Sequence, residues 1–247
     1  MDIESLAQAN MQSLRGNAYP GRGIVIGLTP DSRRYVQVYW IMGRSENSRN
    51  RVFVRDGDTV RTAAHDESKL EDPSRIIYNC VRVLGRRHIV SNGDQTDTIF
   101  DALRTGETFE QALFTRTFEP DGPNFTPRIA GLVDMDDSVH AYRLAILKAV
   151  RNDGRYAVRH FFDYETAIPG VGHCVTTYAG DGSPLPAFEG EPHAVELLDD
   201  LGQVAELYWD ALNEDNKVSL LAKFIDVETG AVDVKVINKL PSPAPAQ

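Results

Sequence analysis

The chain lacks several features that mark common classes of protein. Only two cysteines, Cys80 and Cys174, occur in 247 residues, so a disulfide framework is not indicated and reduced thiols are expected. No cysteine and histidine spacing is typical of a zinc site. The N-terminal segment carries Asp2 and Glu4 instead of basic residues, and no apolar run has the length of a signal peptide or a transmembrane helix. We therefore expect a cytoplasmic protein without a metal and without a membrane partner.

Positive charge is scarce and unevenly placed. The net charge of −10 argues against nucleic acid as a partner, because phosphate neutralisation needs a basic surface. Residues 15–55 nevertheless hold eight arginines and two acids, whereas residues 196–215 hold seven acids and no basic residue. One basic segment in an acidic protein fits a small anionic ligand. Arginine outnumbers lysine 20 to 6, which suits phosphate recognition, although codon usage in a GC-rich genome is the simpler explanation.

The pattern of apolar and turn residues predicts many paired strands and a few helices. An amphipathic helix is predicted over the first sixteen residues, two short helices after Ser91, and a longer helix from Pro192 through Leu212. The second short helix begins at Thr108, with Gln111 as its capping-box partner. Single strands are predicted over residues 129–133 and 173–178. Four hairpins are predicted, pairing residues 22–28 with 35–41, 75–84 with 88–91, 139–150 with 156–164, and 217–226 with 231–237. These elements indicate an α+β fold in which sheets are covered by helices.

Polar side chains cluster at the ends of apolar runs, where a rigid scaffold presents groups to a ligand. The blocks are Tyr19-Pro20-Gly21-Arg22, Arg44-Ser45, Tyr78-Asn79-Cys80, residues 91–99 and residues 124–129. In this order they resemble the archaeal-type IMP cyclohydrolase family. The resemblance is best over residues 19–133 and looser beyond His173.

The resemblance implies a fold and a reaction. The family has a four-layer αββα sandwich related to the fold of N-terminal nucleophile hydrolases. It closes the last ring of purine synthesis by converting 5-formamidoimidazole-4-carboxamide ribonucleotide to IMP and water. We expect a purine ribonucleotide as substrate, no cofactor and a homo-oligomer. We also expect an N-terminal helical extension over residues 1–18, a single domain over residues 19–240 and a disordered tail over residues 241–247.

The resemblance also implies catalytic residues. Arg49 stands where the family has a catalytic arginine, although Arg51 competes for that register because the intervening residues differ. Tyr78 matches a catalytic tyrosine that donates to an oxyanion or relays a proton. Glu119 matches a carboxylate that accepts the carboxamide proton or orients the amide. On the residues alone, the favoured interpretations of these three are a solvated arginine, a core tyrosine and a loop acid.

Seven further residues are candidates for contacts with the base, ribose and phosphate. Arg87, with Arg86 as the less favoured choice, stands where the family has a basic residue. Asn92 is otherwise a turn residue and Asp97 a helix cap. The full set is Arg22, Arg44, Arg87, Asn92, Asp97, Asn124 and Arg128.

Other chemistry is less well supported by the sequence. Neighbouring strand residues point to opposite faces, so His173 is not expected to act as a base for Cys174. Asp134, Asp136 and Asp137 are interpreted as an acidic turn, and Lys217 has no assigned role. Two alternative functions stay open, a hydrolase of another cyclic or acylated amide and a purine-nucleotide sensor without turnover. An N-terminal nucleophile amidohydrolase is disfavoured, because no Ser, Thr or Cys heads the block that begins at Tyr19.

Overall fold

A computed structural model describes residues 2–70 and 76–242 of the protein. It has an α+β fold with two antiparallel sheets, of six and seven strands, and five short α-helices in those described ranges. The predicted α+β class is confirmed. No helix within the described ranges is long and apolar enough to cross a membrane. Residues 243–247 of the predicted tail lie outside the described residues, and the predicted domain boundaries stay a prediction.

The six-stranded sheet, here called sheet A, combines strands from both ends of the chain. Its strands are β1 (Gly23–Leu28), β2 (Arg34–Met42), β10 (Val171–Thr176), β11 (His193–Glu196), β12 (Lys217–Asp226) and β13 (Val232–Asn238). They lie in the order β11-β10-β1-β2-β12-β13. Two hairpins, β1 with β2 and β12 with β13, meet where β2 pairs with β12. Both hairpins agree with the sequence prediction.

The seven-stranded sheet, here called sheet B, follows the order of the chain. Its strands are β3 (Arg51–Asp56), β4 (Thr59–Ala64), β5 (Asn79–Leu84), β6 (Arg87–Ser91), β7 (Arg128–Asp134), β8 (Tyr142–Val150) and β9 (Asp153–Tyr164), in that spatial order. The predicted hairpins β5 with β6 and β8 with β9 are confirmed. The hairpin of β3 and β4 was not predicted, although its turn contains Asp56-Gly57, a common hairpin signal.

Four of the five α-helices in the described ranges, all but α3, begin at residues whose side chains cap them. They are α1 (Ile3–Gly16), α2 (Glu46–Arg49), α3 (Gln95–Arg104), α4 (Phe109–Phe114) and α5 (Leu201–Ala211). The side chain of Asp2 accepts a hydrogen bond from the Ser5 backbone N–H at the start of α1. Thr108 and Gln111 form the predicted capping box of α4, with both reciprocal bonds present.

The predicted helix from Pro192 through Leu212 is wrong over its first part. His193–Glu196 is strand β11, which pairs with β10, and the helix begins only at Leu201. Asp200 accepts a hydrogen bond from the Gln203 backbone N–H and so fixes that start. Pro192 is compatible with a helix start. Pairing with β10 at the edge of sheet A nevertheless makes the residues that follow it a strand.

The core consists of apolar layers on both faces of each sheet, because strand residues alternate in direction. In β2, Val38 and Trp40 pack with residues of α1 and α5, whereas Tyr39 and Ile41 pack with residues of sheet B. On the other face of sheet B, residues of α3 and α4 form a third cluster that includes Ile99 and Phe109. The two sheets therefore share an apolar layer, and each also packs against helices.

Candidate active site

Arg22 is held at the end of sheet A by a tight approach of two backbone segments. Gly21 has a φ of 74°, and a Cβ atom there would lie 2.2 Å from the Thr177 Oγ1, so the position requires glycine. The Arg22 N–H donates to Thr177 Oγ1 at 3.1 Å, and the Thr177 N–H donates to the Arg22 carbonyl at 2.8 Å. The Arg22 Nε is buried and has no hydrogen-bond partner within the described ranges. The guanidinium therefore has a donor to offer a ligand.

Arg51 is the first residue of β3 and lies almost entirely inside the protein, with 2% of its surface exposed. Its Nε donates to the Ser48 carbonyl at 3.0 Å, and a capping box between Ser45 and Ser48 fixes that turn. Burial, with a smaller contribution from the charge of Arg22, lowers the pKa of Arg51. The two arginines are thus close enough to repel each other, which an anion between them would relieve.

Tyr78 lies just before β5, with 7% of its surface exposed. Its backbone exchanges two hydrogen bonds with Thr62, each 2.9 Å long. Its hydroxyl lies 2.8 Å from the hydroxyl of Tyr39, which is fully buried. Burial raises the pKa of Tyr78, and the charges of Arg51 and Arg22 only partly oppose that rise. The phenol therefore keeps its proton near neutral pH and is suited to donate it.

Glu119 belongs to a loop that its neighbours hold in place. Its N–H donates to the Thr126 carbonyl at 2.9 Å. The Thr126 hydroxyl in turn contacts the Asp121 carboxylate and, at 2.7 Å, the Tyr178 hydroxyl. Burial raises the pKa of Glu119, and Arg22 and Arg128 oppose that rise. A carboxyl with a raised pKa is a better proton acceptor when ionised than an exposed glutamate.

These four side chains influence one another and form one cluster, here called the Arg22 cluster (Arg22, Arg51, Tyr78 and Glu119). Burial alone would lower the pKa of Arg22, but the charge of Glu119 and the neighbouring tyrosines Tyr19, Tyr178 and Tyr78 together outweigh burial, and the pKa is raised. The cluster contains two guanidinium groups and one carboxyl, so it carries net positive charge when Glu119 is ionised. Such a buried, preorganised arrangement stabilises negative charge that develops on a bound molecule.

Three predicted arginines lie outside the cluster. Arg49 is exposed and donates to the Gly43 carbonyl and to Asn216 Oδ1. Arg44 forms an ion pair of 2.6 Å with Asp181 and lies over the ring of Tyr19. Arg87 begins β6 and pairs with Asp134 at 3.0 Å, roughly 13 Å along the strand from the end at Ser91.

The remaining predicted contact residues are mostly engaged by the protein. Asn92 donates to the Pro127 carbonyl and accepts from Gln95 and from the Ile129 N–H. Asp97, in the first turn of α3, accepts hydrogen bonds from the side chains of Asn79 and Arg82. Asn124 accepts from the Leu185 N–H. Arg128 donates to Asp94 and Gln95, and its charge also reaches Glu119. Arg128 is therefore the one of these four whose charge acts on a residue of the Arg22 cluster.

Comparison with known proteins shows the family of the chain. A model of the family described as IMP cyclohydrolase-like protein matches residues 19–230, most of the chain. The chain belongs to the IMP cyclohydrolase-like family.

Curated relatives come from methanogenic archaea. The IMP cyclohydrolase of Methanococcus maripaludis strain S2 is 31% identical over 128 residues, which is 50% of this chain and 62% of the relative. The IMP cyclohydrolase of Methanocella arvoryzae is 34% identical over 140 residues, 55% of this chain and 64% of the relative. The IMP cyclohydrolase of Methanopyrus kandleri is 33% identical over 120 residues, 47% of this chain and 59% of the relative. Each alignment thus spans less than two thirds of the relative's length.

Membership of the IMP cyclohydrolase-like family does not by itself identify every residue of the cluster. Arg51 was only the second choice beside Arg49, and Tyr39 and Tyr178 were not predicted at all. The apolar run Val52-Phe53-Val54 directly after Arg51 is the feature of the sequence that indicates a buried strand beginning near Arg51. Nothing in the sequence indicates that Tyr39 and Tyr78, on different sheets, share a hydrogen bond.

Other residues considered from the sequence have structural partners. Cys174 packs among the residues that face α1 and α5, whereas His173 points the other way and its Nδ1 lies 2.6 Å from the Tyr142 hydroxyl. The prediction that they face opposite sides is confirmed. Lys217 pairs with Glu214 at 2.7 Å. The carboxylates at residues 134–137 pair with Arg86, Arg87 and Arg143. Within the described ranges, no group of three His, Cys, Asp or Glu side chains is placed to hold a metal ion.

A cavity of about 710 Å³ lies beside α1 and β10. Its lining includes Leu14, Cys174 and Phe188 and none of the four cluster residues. The cavity and the Arg22 cluster thus have no residue in common. The Arg22 cluster is the candidate active site, because its charged groups are coupled to one another, whereas the cavity lining contains no such coupled set.

Proposed function

We propose that the protein is an IMP cyclohydrolase, which closes 5-formamidoimidazole-4-carboxamide ribonucleotide to IMP with release of water. Family membership and the names of the archaeal relatives support this. The observation that carries the proposal is the Arg22 cluster, in which the buried Tyr78 phenol, the Glu119 carboxyl and two guanidinium groups shift one another's pKa values. Ring closure needs a proton acceptor, a proton donor and a site for an oxyanion, and the cluster contains all three.

In the first step, the carboxamide nitrogen forms a bond to the formyl carbon. Glu119, as the carboxylate, takes a proton from that nitrogen, and the formyl C=O becomes an oxyanion. The oxyanion takes its proton from Tyr78, and Arg51 stabilises the negative charge that passes between the two oxygens. The product of this step is a carbinolamine.

In the second step, the carbinolamine loses its hydroxyl group. Protonated Glu119 returns its proton to the leaving oxygen, which departs as water. The former formamide nitrogen gives up its own proton to the Tyr78 phenolate, and the C=N bond of the purine ring forms. Both protein groups therefore end in the state in which they began, and no redox change occurs.

We propose specific positions within this mechanism. Arg51 takes the role that the resemblance had given to Arg49, since Arg51 is buried beside Tyr78 and Arg49 is exposed. Arg22 and Arg128 hold the anionic part of the nucleotide, with the free Nε of Arg22 as one donor. Asn92, Asp97 and Asn124 support the loops of the site, while Arg44 and Arg87 have the least support as substrate contacts.

We also propose the finer fold that the resemblance implied, a four-layer αββα sandwich resembling that of N-terminal nucleophile hydrolases. The apolar clusters on both faces of each sheet support it. A cytoplasmic location and a purine ribonucleotide partner complete the proposal.

The proposal is tested by following conversion of the formylated ribonucleotide to IMP by ultraviolet absorbance, with product identified by chromatography. We expect IMP to form in the presence of EDTA. A sensor would bind the nucleotide without forming product, and a related amide hydrolase would release formate and leave the aminoimidazole carboxamide ribonucleotide. Either of these results would refute the proposed function.

A further inference from the structure

Strand β9 forms an edge of sheet B and is long and exposed. It runs over the twelve residues Asp153–Tyr164, and within the described ranges it pairs only with β8. None of its residues is fully buried, and it contains no proline. A long edge strand without proline presents a row of backbone donors and acceptors that can pair with another strand.

The other edges of the two sheets are short or covered. β11 has four residues and lies under α1, where the Asn10 amide donates to the Ala194 carbonyl. At the far side, β13 of sheet A lies close to β3 of sheet B. There the Asn238 amide bonds both the N–H and the carbonyl of Phe53, as a strand neighbour would. Among the four edges, β9 is therefore the one that combines length with exposure.

Exposed apolar side chains gather at this edge. Tyr156 is 57% exposed on the face of β9 toward sheet A, and Phe114 of α4 is 59% exposed on the opposite face. Phe114 stacks edge-on against Phe161, and its carbonyl accepts from Arg159, so α4 is fixed beside the strand. Val150, at the end of β8, adds a third exposed apolar residue. Exposed groups of this kind on both faces of a free edge mark an interaction surface.

The sequence of β9 is complementary to itself in one antiparallel register. When two copies pair with Arg159 on the twofold axis, Arg155 lies opposite Asp163, and Tyr156 lies opposite Phe162. Each of these pairs occurs twice because the interface is isologous. Opposite charges and aromatic pairs directly across an antiparallel ladder are stabilising. The Arg159 guanidinium does not oppose its own copy, since it is engaged by the carbonyls of Leu113, Phe114 and Arg116.

Other registers that keep the same faces of the two sheets on the same side have less favourable cross-strand side-chain pairs. A shift of the axis to Val158 places Asp153 opposite Asp163. A further shift to Ala157 loses both complementary pairs, because Arg155 then lies opposite Arg159 and Tyr156 opposite Val158. A shift the other way, to His160, places Arg155 opposite Glu165, which lies beyond the end of the strand. Register is thus specified by charge as well as by the aromatic pair.

We propose that two copies of this chain associate through their β9 strands into one continuous fourteen-stranded sheet, with Arg159 of each copy at the twofold axis. The occupant of the free edge is a second copy of the chain, because the same strand supplies both members of each complementary pair. This inference does not depend on the proposed function, since no residue of β9 belongs to the Arg22 cluster.

Cysteine pairs test both the association and its register. In the proposed dimer, positions 156 and 162 of different copies lie about 5 Å apart, within the reach of a disulfide. In a single copy they are separated by roughly 20 Å of extended strand. Tyr156→Cys combined with Phe162→Cys should therefore give a covalent dimer with oxidised glutathione. The matched control, Tyr156→Cys with His160→Cys, should remain without a cross-link, because those positions oppose each other only in the shifted register.

Sedimentation equilibrium of the unsubstituted protein supplies the second measurement. We expect a dimer between about 1 and 100 μM, and we expect Tyr156→Asp to raise its dissociation constant roughly tenfold or more. Circular dichroism of each variant shows whether it is folded. A monomer throughout this range, or a dimer that Tyr156→Asp leaves unchanged, would overturn the proposal. Cross-linking of the control pair in place of the 156/162 pair would overturn it as well.

Discussion

Substitutions of Arg49 and Arg51, which are two residues apart, are expected to have very different effects on activity. Arg51 is 2% exposed and influences Tyr78 and Glu119, whereas Arg49 is exposed and donates to the Gly43 carbonyl and to Asn216. We expect Arg51→Gln to remove a charge-assisted contact worth about 1.5–3 kcal/mol in the transition state. That free energy corresponds to a loss of roughly 10 to 150-fold in kcat/KM. Arg49→Gln should leave kcat/KM within about threefold of the unsubstituted value.

The cause of the Arg51 effect can be separated from a loss of folding. Arg51 opposes the rise in the pKa of Tyr78, so Arg51→Gln should raise that pKa further. The steady-state ultraviolet assay measures kcat and KM, and thermal unfolding by circular dichroism checks each variant. We expect the loss to fall mainly on kcat, because the contact is to a developing oxyanion. The reasoning is wrong if Arg49→Gln costs more activity than Arg51→Gln in folded protein.

Further predictions concern a proton acceptor and a buried charge. Glu119→Gln should lower kcat by roughly 10²-fold, and the unsubstituted kcat/KM should fall as pH decreases through a Glu119 pKa that burial has raised. A pH profile of both proteins checks this, and an acidic limb that persists in the variant would contradict it. Lys223 is fully buried in β12, and burial lowers its pKa to about 7. Because the unfolded chain binds more protons above that pH, stability should increase from about pH 7 to 10. Lys223→Met should abolish that slope in chemical denaturation and raise stability near pH 7 by up to about 5 kcal/mol, and an unchanged slope would contradict the assignment.

Local signals in the sequence predicted much of the fold. The hairpin of β12 and β13 has apolar strands around a Glu228-Thr229-Gly230 turn, and the capping box of α4 needs only residues 108–111. Such features depend on residues that are close together in the chain, so they can be predicted from a single sequence. β11 shows the limit, because its four residues are a strand only through pairing with β10.

The candidate site was less predictable because its residues come from separate segments. Tyr78 and Glu119 follow from the resemblance, but their burial depends on both sheets and on the loop that Thr126 holds. The choice between Arg49 and Arg51 depends on where β3 begins, and that position is fixed by pairing with β4. Arg87 illustrates the same difficulty. It begins β6, and the sequence around it does not indicate which end of that strand lies at the site.

The central claim is that the Arg22 cluster performs the ring closure, and the single-turnover rate of Tyr78→Phe tests it most directly. Tyr39→Phe is the matched control, because it removes the other hydroxyl of the same 2.8 Å contact. The account predicts that Tyr78→Phe slows IMP formation by roughly 10²-fold or more while nucleotide binding changes little, and that Tyr39→Phe costs about tenfold at most. A folded Tyr78→Phe variant that forms IMP at the unsubstituted rate would contradict the account.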